Sequence, residues 1–248
     1  MYGWLDCAPV LSLSRLMTAA LPRAAAHPMA AAGGRAAARL LRRPREALAR
    51  KGLDGPRTMA NYARTRADLF YLDRLIDATE GPPDPPRRAV YVSAHVGNWE
   101  LGAAWLARRH GLTVLAGRPR TAFARFVDAR RDRYRIRTVH TDRPGAGLRA
   151  MLCADGPVAA LIDRPAHRIP VAPLAAAWIR RIPLMPMWAV MTRGARYRIE
   201  MDEPIEPREG AGESREEGIA RLAERAAGAL ERVRARHADQ WFAFSDDP

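Results

Sequence analysis

From Val90 onward, short β-branched runs alternate with helix-forming stretches, and this alternation limits the fold more than any other feature of the 248 residues. The pattern predicts strands over 90–94, 113–117, 136–140 and 158–162, separated by helices over 99–109, 123–133 and 147–154. Strands joined by helices of this length need crossover connections, so the expected fold is α/β, a mainly parallel sheet flanked by helices. After Asp163 a helix over 174–180 leads to a strand over 184–190. Past the Arg193-Gly194 turn comes a strand over 197–201, and the two form a hairpin-like end of the sheet. Ser214 and Glu217 form a capping box for a last helix, whose Ile219, Leu222, Ala226, Leu230 and Val233 keep helical spacing. Upstream, Gly55-Pro56 opens a helical segment running to about Asp77. The division expected is therefore an N-terminal basic helical region, 1–80, and an α/β domain, 81–248.

In open parallel sheets the reactive groups lie beyond the carboxyl ends of the strands, and His95, Arg118 and Asp163 all fall at such ends. The stretch Ser93-Ala94-His95-Val96-Gly97-Asn98-Trp99-Glu100 is the most chemically pointed of these junctions. Gly97 permits an unusual backbone angle, Asn98 is a good N-cap, and Glu100 falls in the first helical turn, where the helix dipole favours a carboxylate. Of the six histidines, only His95 has an acidic residue five positions on. The expectation is that Glu100 turns back to the imidazole, sets its tautomer and makes it a general base. The alternative for such a histidine is a buried ring satisfied by a backbone carbonyl. Gly145-Ala146-Gly147 imitates a dinucleotide-binding loop, but no acidic residue follows at the required distance on a later strand end.

The formal charge is +14, and Lys51 is the only lysine, so arginine carries nearly all of it. Residues 1–54 hold nine basic and three acidic side chains, and residues 118–143 again nine and three. Such clusters suit anionic lipid headgroups, phosphorylated substrates, an acidic carrier protein or nucleic acid. No nucleic-acid-binding signature accompanies the charge, so nucleic acid is not expected as a partner. No apolar run is long enough to span a membrane, and no signal peptide is expected. Residues 9–22 are moderately apolar, and Arg35, Arg39, Arg42 and Arg43 follow at helical spacing. The pattern fits an interfacial helix drawn to anionic lipid, and equally a solvated basic face. Cys7 and Cys153 lie far apart without metal-ligand spacing, which points to a reducing compartment and no metal site.

The block from Val90 to Arg118-Pro119, centred on His95-Val96-Gly97-Asn98-Trp99-Glu100, resembles the lipid A biosynthesis late acyltransferases, the lauroyl and myristoyl transferases. These belong to the wider glycerolipid and lysophospholipid acyltransferase superfamily. The similarity extends more thinly through Gly156, Ile162-Asp163 and Ile182-Pro183-Leu184-Met185-Pro186 to Asp239-Gln240-Trp241-Phe242-Ala243-Phe244. The resemblance implies a glycerolipid-acyltransferase-like fold with a membrane-facing N-terminal region. It also implies O-acyl transfer from an acyl carrier protein or CoA thioester to a glycolipid hydroxyl, with no bound cofactor. His95 would be the base and Glu100 its dyad partner. Backbone N–H groups around Gly97 and Asn98, or the Arg118 guanidinium, would stabilise the oxyanion. Arg118 matches the family's arginine after this strand and offers a bidentate fork to phosphate, from the acceptor headgroup or the carrier's phosphopantetheine, the alternative being an ordinary surface arginine. Asp163 matches a strand-end aspartate of the family, but Arg164 stands where glutamine usually follows, and an Asp–Arg salt bridge explains the neighbourhood equally. The implied location is peripheral, at the cytoplasmic face of a bacterial inner membrane.

The chain departs from the family pattern in two further places. It lacks the strongly apolar or membrane-spanning helix with which members usually begin, and Pro170-Val171-Ala172-Pro173 stands where they carry an aromatic loop. Both features concern lipid contact. The competing reading is therefore a non-catalytic relative that binds lipid or an acidic partner.

Overall fold

The computed structural model describes residues 21–141, 145–163, 169–208, 212–242 and 244, with the backbone alone for 42–45. The helices, in chain order, are α1 (Arg23–Leu40), α2 (Arg42–Arg50), α3 (Gly55–Asp68), α4 (Leu72–Ala78), α5 (Trp99–His110), α6 (Ala122–Arg133), α7 (Ala146–Leu152), α8 (Val171–Arg180) and α9 (Arg215–Arg236). The strands are β1 (Val90–Ser93), β2 (Leu112–Ala116), β3 (Ile136–His140), β4 (Val158–Leu161), β5 (Leu184–Met191) and β6 (Tyr197–Met201). Among the described residues they form one six-stranded sheet in the order β3-β2-β4-β1-β5-β6. Every pair is parallel except β5 with β6, which close the sheet as an antiparallel edge.

The fold is thus α/β with helices on both faces, as the alternation predicts. Successive side chains of β1 point to opposite faces, so Tyr91 enters one core with Trp105, Leu101 and Met187. Val90 and Val92 enter the other, with Ile162, Leu174, Trp178 and Leu222. All four β1 residues are buried, which is why the run shows no polar alternation in sequence. The capping box at α9 forms as read: Ser214 N–H donates to Glu217 Oε2 (2.9 Å), and Glu217 N–H donates to Ser214 Oγ (3.3 Å).

Two helical boundaries differ from expectation. The segment from Gly55 breaks at a 3₁₀ turn, Leu69–Tyr71, instead of running through to Asp77. The break lets one sequence serve two cores: Met59 and Tyr62 pack with Leu48, Phe242 and Phe244, whereas Leu69, Leu72 and Leu75 pack with Trp105. Leu41 is extended and ends α1, so Arg35 and Arg39 lie on α1 while Arg42 and Arg43 belong to α2. The four arginines therefore do not share one helical face. Most of the apolar segment 9–22 lies outside the described residues.

α1 and α3 approach closely because Gly34 faces the backbone of Met59, where a Cβ would come within 2.3 Å of the carbonyl oxygen. Their junction with the sheet is polar and buried. Arg23 Nε donates to Asp68 Oδ1 (2.6 Å), Tyr197 Oη donates to Asp68 Oδ2 (2.8 Å), and His27 Nε2 lies 2.8 Å from the same oxygen. Burial alone would raise the Asp68 carboxyl, but hydrogen bonds from His27 and Arg23, and their charge, hold it below the ordinary aspartate value. Burial, reinforced by the Asp68 charge, pushes the Tyr197 hydroxyl well above its usual value, so it remains a donor.

Removing Asp68 would leave the Arg23 charge without its partner, and Asp68→Ala is expected to cost about 3–5 kcal/mol in urea unfolding. A depressed carboxyl stabilises the fold above the unfolded value of about 4 and loses that contribution as pH falls through the folded value. Unfolding midpoints measured from pH 7 downward should therefore drop in acid more steeply for the native chain than for Asp68→Asn.

Candidate active site

β1 and β4 are neighbours, with Ser93 opposite Leu161. The ladder continues past the strand ends, since Ile162 N–H donates to the Ser93 carbonyl (2.8 Å). Two residues beyond the paired positions, His95 and Asp163 meet. The Asp163 carboxylate accepts the His95 backbone N–H at Oδ2 (2.9 Å) and lies 2.8 Å from Nδ1 at Oδ1. A carboxylate only accepts, so the shared proton is assigned to Nδ1, and the neutral ring then carries its lone pair on Nε2. Nε2 makes no hydrogen bond among the described residues. The Asp163 side chain is 3% exposed and that of His95 18%, which places the carboxylate behind the ring. Trp99 meets the imidazole edge-on, with centroids 4.8 Å apart.

His95 opens onto a cavity of about 640 Å³ at the carboxyl ends of β1, β2 and β4. Its walls include Tyr91, Ala103, Leu148, Ala159 and Met187, and the Glu100–Arg131 pair supplies charge. Small residues keep the space open.

Glu100 does not reach the imidazole. Arg131 of α6 holds it bidentately, Nε to Oε2 at 3.0 Å and Nη2 to Oε1 at 2.5 Å. Burial would lower the Arg131 guanidinium, but the charge and hydrogen bonds of Glu100 outweigh that and leave it raised. The expected His95–Glu100 dyad is therefore corrected to His95–Asp163. The cause is tertiary: α6 brings a fork-shaped cation beside the first turn of α5, and β4 brings another carboxylate to Nδ1.

The oxyanion donors expected at Gly97 and Asn98 are also corrected. Gly97 N–H donates to the Gln240 carbonyl (3.0 Å) and Asn98 N–H to the Ala189 carbonyl (2.8 Å), so neither is available to a substrate. Asn98 does cap α5, its Oδ1 accepting Leu101 N–H at 3.1 Å. Gly97 has φ +60°, and a Cβ there would stand 2.1 Å from the Ala189 oxygen, so both conformation and space exclude a side chain. Arg118 is exposed, one residue beyond Gly117 of the cavity wall. Arg164 lies outside the described residues.

The terminal Asp239-Gln240-Trp241-Phe242 segment turns out to brace the site. Phe242 N–H donates to the His95 carbonyl (2.8 Å), and the Gln240 side chain accepts from Met191 N–H and donates to the Met191 carbonyl, each at 2.8 Å. Arg131 has no local sequence signal, because it acts on a residue 31 positions away, and the bracing role of Gln240, 49 positions from Met191, is not visible in its segment. Compared with models of known protein families the chain matches none, and comparison with curated proteins likewise finds no match.

Long-range ¹H–¹⁵N spectra should report His95 as the Nδ1–H tautomer, altered by Asp163→Asn and unmoved by Glu100→Gln. Glu100→Ala and Arg131→Ala should each cost about 3 kcal/mol of stability by leaving the other charge buried, with a double Glu100→Leu/Arg131→Met variant recovering most of it in urea titrations.

Proposed function

We propose that the chain is an O-acyltransferase that moves a fatty acyl group from an acyl carrier protein or CoA thioester to a hydroxyl of a lipid A precursor or related glycolipid. The observation that carries this reading is the His95–Asp163 pair, with its free Nε2 facing a largely apolar cavity. In the reaction, Nε2 takes the proton of the acceptor hydroxyl as its oxygen attacks the thioester carbonyl. Asp163 stabilises the resulting imidazolium and keeps the ring in place, a division of labour known from serine-protease triads. The tetrahedral intermediate collapses with cleavage of the C–S bond, and the leaving thiolate regains the proton from His95. A thioester needs no acyl-enzyme stage, since its leaving group is already good. Arg118, at the rim beyond Gly117, is placed to meet an anionic part of the substrate.

The substrates of such an enzyme are amphiphilic, and peripheral attachment to the inner face of a bacterial membrane fits the outer face of α1. Met29, Ala32, Ala36 and Leu40 form one exposed stripe, with Leu40 at 82% exposure, and the exposed Arg35 and Arg39 run along one side of it. The buried stripe of the same helix, Ala26, Ala31, Gly34 and Ala38, faces the protein. An apolar stripe bordered by arginines is the pattern of a helix lying at an anionic lipid surface. No helix among the described residues is long and apolar enough to cross a membrane.

Purified protein incubated with acyl carrier protein thioester and an under-acylated lipid A precursor should yield a product heavier by one acyl chain in mass spectrometry. His95→Ala should lower turnover about 10²–10⁴-fold, with a loss of similar order for Asp163→Asn. Transfer that persists at the native rate in His95→Ala would overturn the assignment. In co-sedimentation, the native chain should bind vesicles containing anionic lipid in preference to zwitterionic ones, and Leu40→Glu or Arg35→Glu should weaken that binding.

A further inference from the structure

Arg66, on α3, occupies a setting unlike that of the other arginines near the site. Its guanidinium carbon lies 4.8 Å from the Tyr62 ring centroid, 4.5 Å from that of Phe123 and 5.9 Å from that of Trp99. Nε donates to Tyr62 Oη at 2.8 Å. Among the described residues it has no carboxylate partner, and its two Nη groups make no hydrogen bond, although the side chain is only partly exposed. Arg23, Arg131 and Arg221, by contrast, are each held by a carboxylate. The aromatic faces stabilise the cation and hold it still, yet they leave the Nη fork unsatisfied.

The position of this fork relates it to the cavity. Trp99 opens α5 just past the end of β1, and Phe123 lies in the first turn of α6, beyond the end of β2. Arg66 therefore sits at the same edge of the sheet as His95, just outside the cavity wall, and Trp99, which lines the cavity, lies beside both side chains. The first turn of α6 carries no acidic residue to offset the positive charge gathered there. A planar, immobilised, unpaired guanidinium is shaped for two oxygens of one anion, and phosphate is the group that such a fork takes bidentately.

We propose that Arg66 anchors a phosphate group of the substrate that enters the His95 cavity. The proposal rests on the acyltransferase reading for the identity of that substrate, and two sources of phosphate fit: the phosphopantetheine arm of the donor and a phosphorylated acceptor headgroup. Arg66 is a binding residue here, and proton transfer remains with His95.

Binding of inorganic phosphate to the full chain, followed by ³¹P NMR, is the first test. Saturable binding is expected, weakened at least tenfold in Arg66→Met, partly kept in Arg66→Lys and kept in Arg215→Ala, an exposed arginine at the start of α9. Thermal melting of each variant confirms that it is folded. Kinetics supply the second test, comparing acyl phosphopantetheine with acyl pantetheine, and a phosphorylated acceptor with its phosphatase-treated form. Arg66→Met should raise KM about 10- to 100-fold, the value of a charge-assisted hydrogen-bond pair, with kcat little changed. The effect should appear only for the phosphate-bearing member of one pair, and that pair identifies the source. Absence of phosphate binding, or binding that Arg66→Met leaves intact, would overturn the proposal. Phosphate binding lost in Arg66→Met without any acyl transfer would retain the anchor and remove the acyltransferase reading.

Discussion

The parallel pairing of β1 with β4 is the constraint on which the candidate site depends. Neighbouring strands lie about 4.8 Å apart, so residues at matching heights on the two strand ends are brought within side-chain reach. Ser93 opposite Leu161 puts His95 opposite Asp163 two residues later, and both leave the sheet at its carboxyl edge. One aspartate then fixes backbone and ring together, because its two oxygens accept the N–H and face Nδ1 of the same histidine. An imidazole held at two points loses little further entropy when a reaction demands a single orientation.

The loop after β1 spends its backbone hydrogen-bonding capacity on being held rather than on binding. Gly97 and Asn98 donate inward to Gln240 and Ala189, and the His95 carbonyl accepts from Phe242. Buried N–H groups need partners whether or not substrate is present, and here strand β5 and the C-terminal segment provide them. The result is a histidine clamped from three sides: β4 through Asp163, β5 through Ala189, and the chain terminus through Gln240 and Phe242. Any oxyanion must find its donors elsewhere on the cavity wall.

The N-terminal helices belong to the same physical arrangement. Asp68 ties α1 and α3 to β6, while Tyr62 packs edge-on against Phe242 and Phe244 of the segment that clamps His95. Arg66 lies one helical turn from Tyr62 and shares Trp99 with the imidazole. A region that reads in sequence as a separate basic helical region thus packs against the segment that holds the His95 loop. The basic character of its outer face and the packing of its inner face are separate properties of one helix, divided by the 3.6-residue period.

Much of the fold was legible in the sequence because its signals are short-range. Strand runs, the Asn98 and Ser214 caps, the Arg193-Gly194 turn and the placement of His95 at a strand end each depend on a few consecutive residues. The 3₁₀ break at Leu69–Tyr71 was not legible, since two separate cores impose it. The site was only partly legible. Its residues were found, but the choice of partner was not: Glu100, five positions from His95, went to Arg131, and Asp163, 68 positions away, took the ring. Arg66 carried no local mark at all, and Gln240 stood out only as part of the Asp239-to-Phe244 segment. The sequence by itself determined which residues stand at the carboxyl ends of the strands, through periodicity and capping. Only the tertiary structure decided which of them meet, because strand order and helix placement come from the burial of whole faces, and no local spacing encodes that.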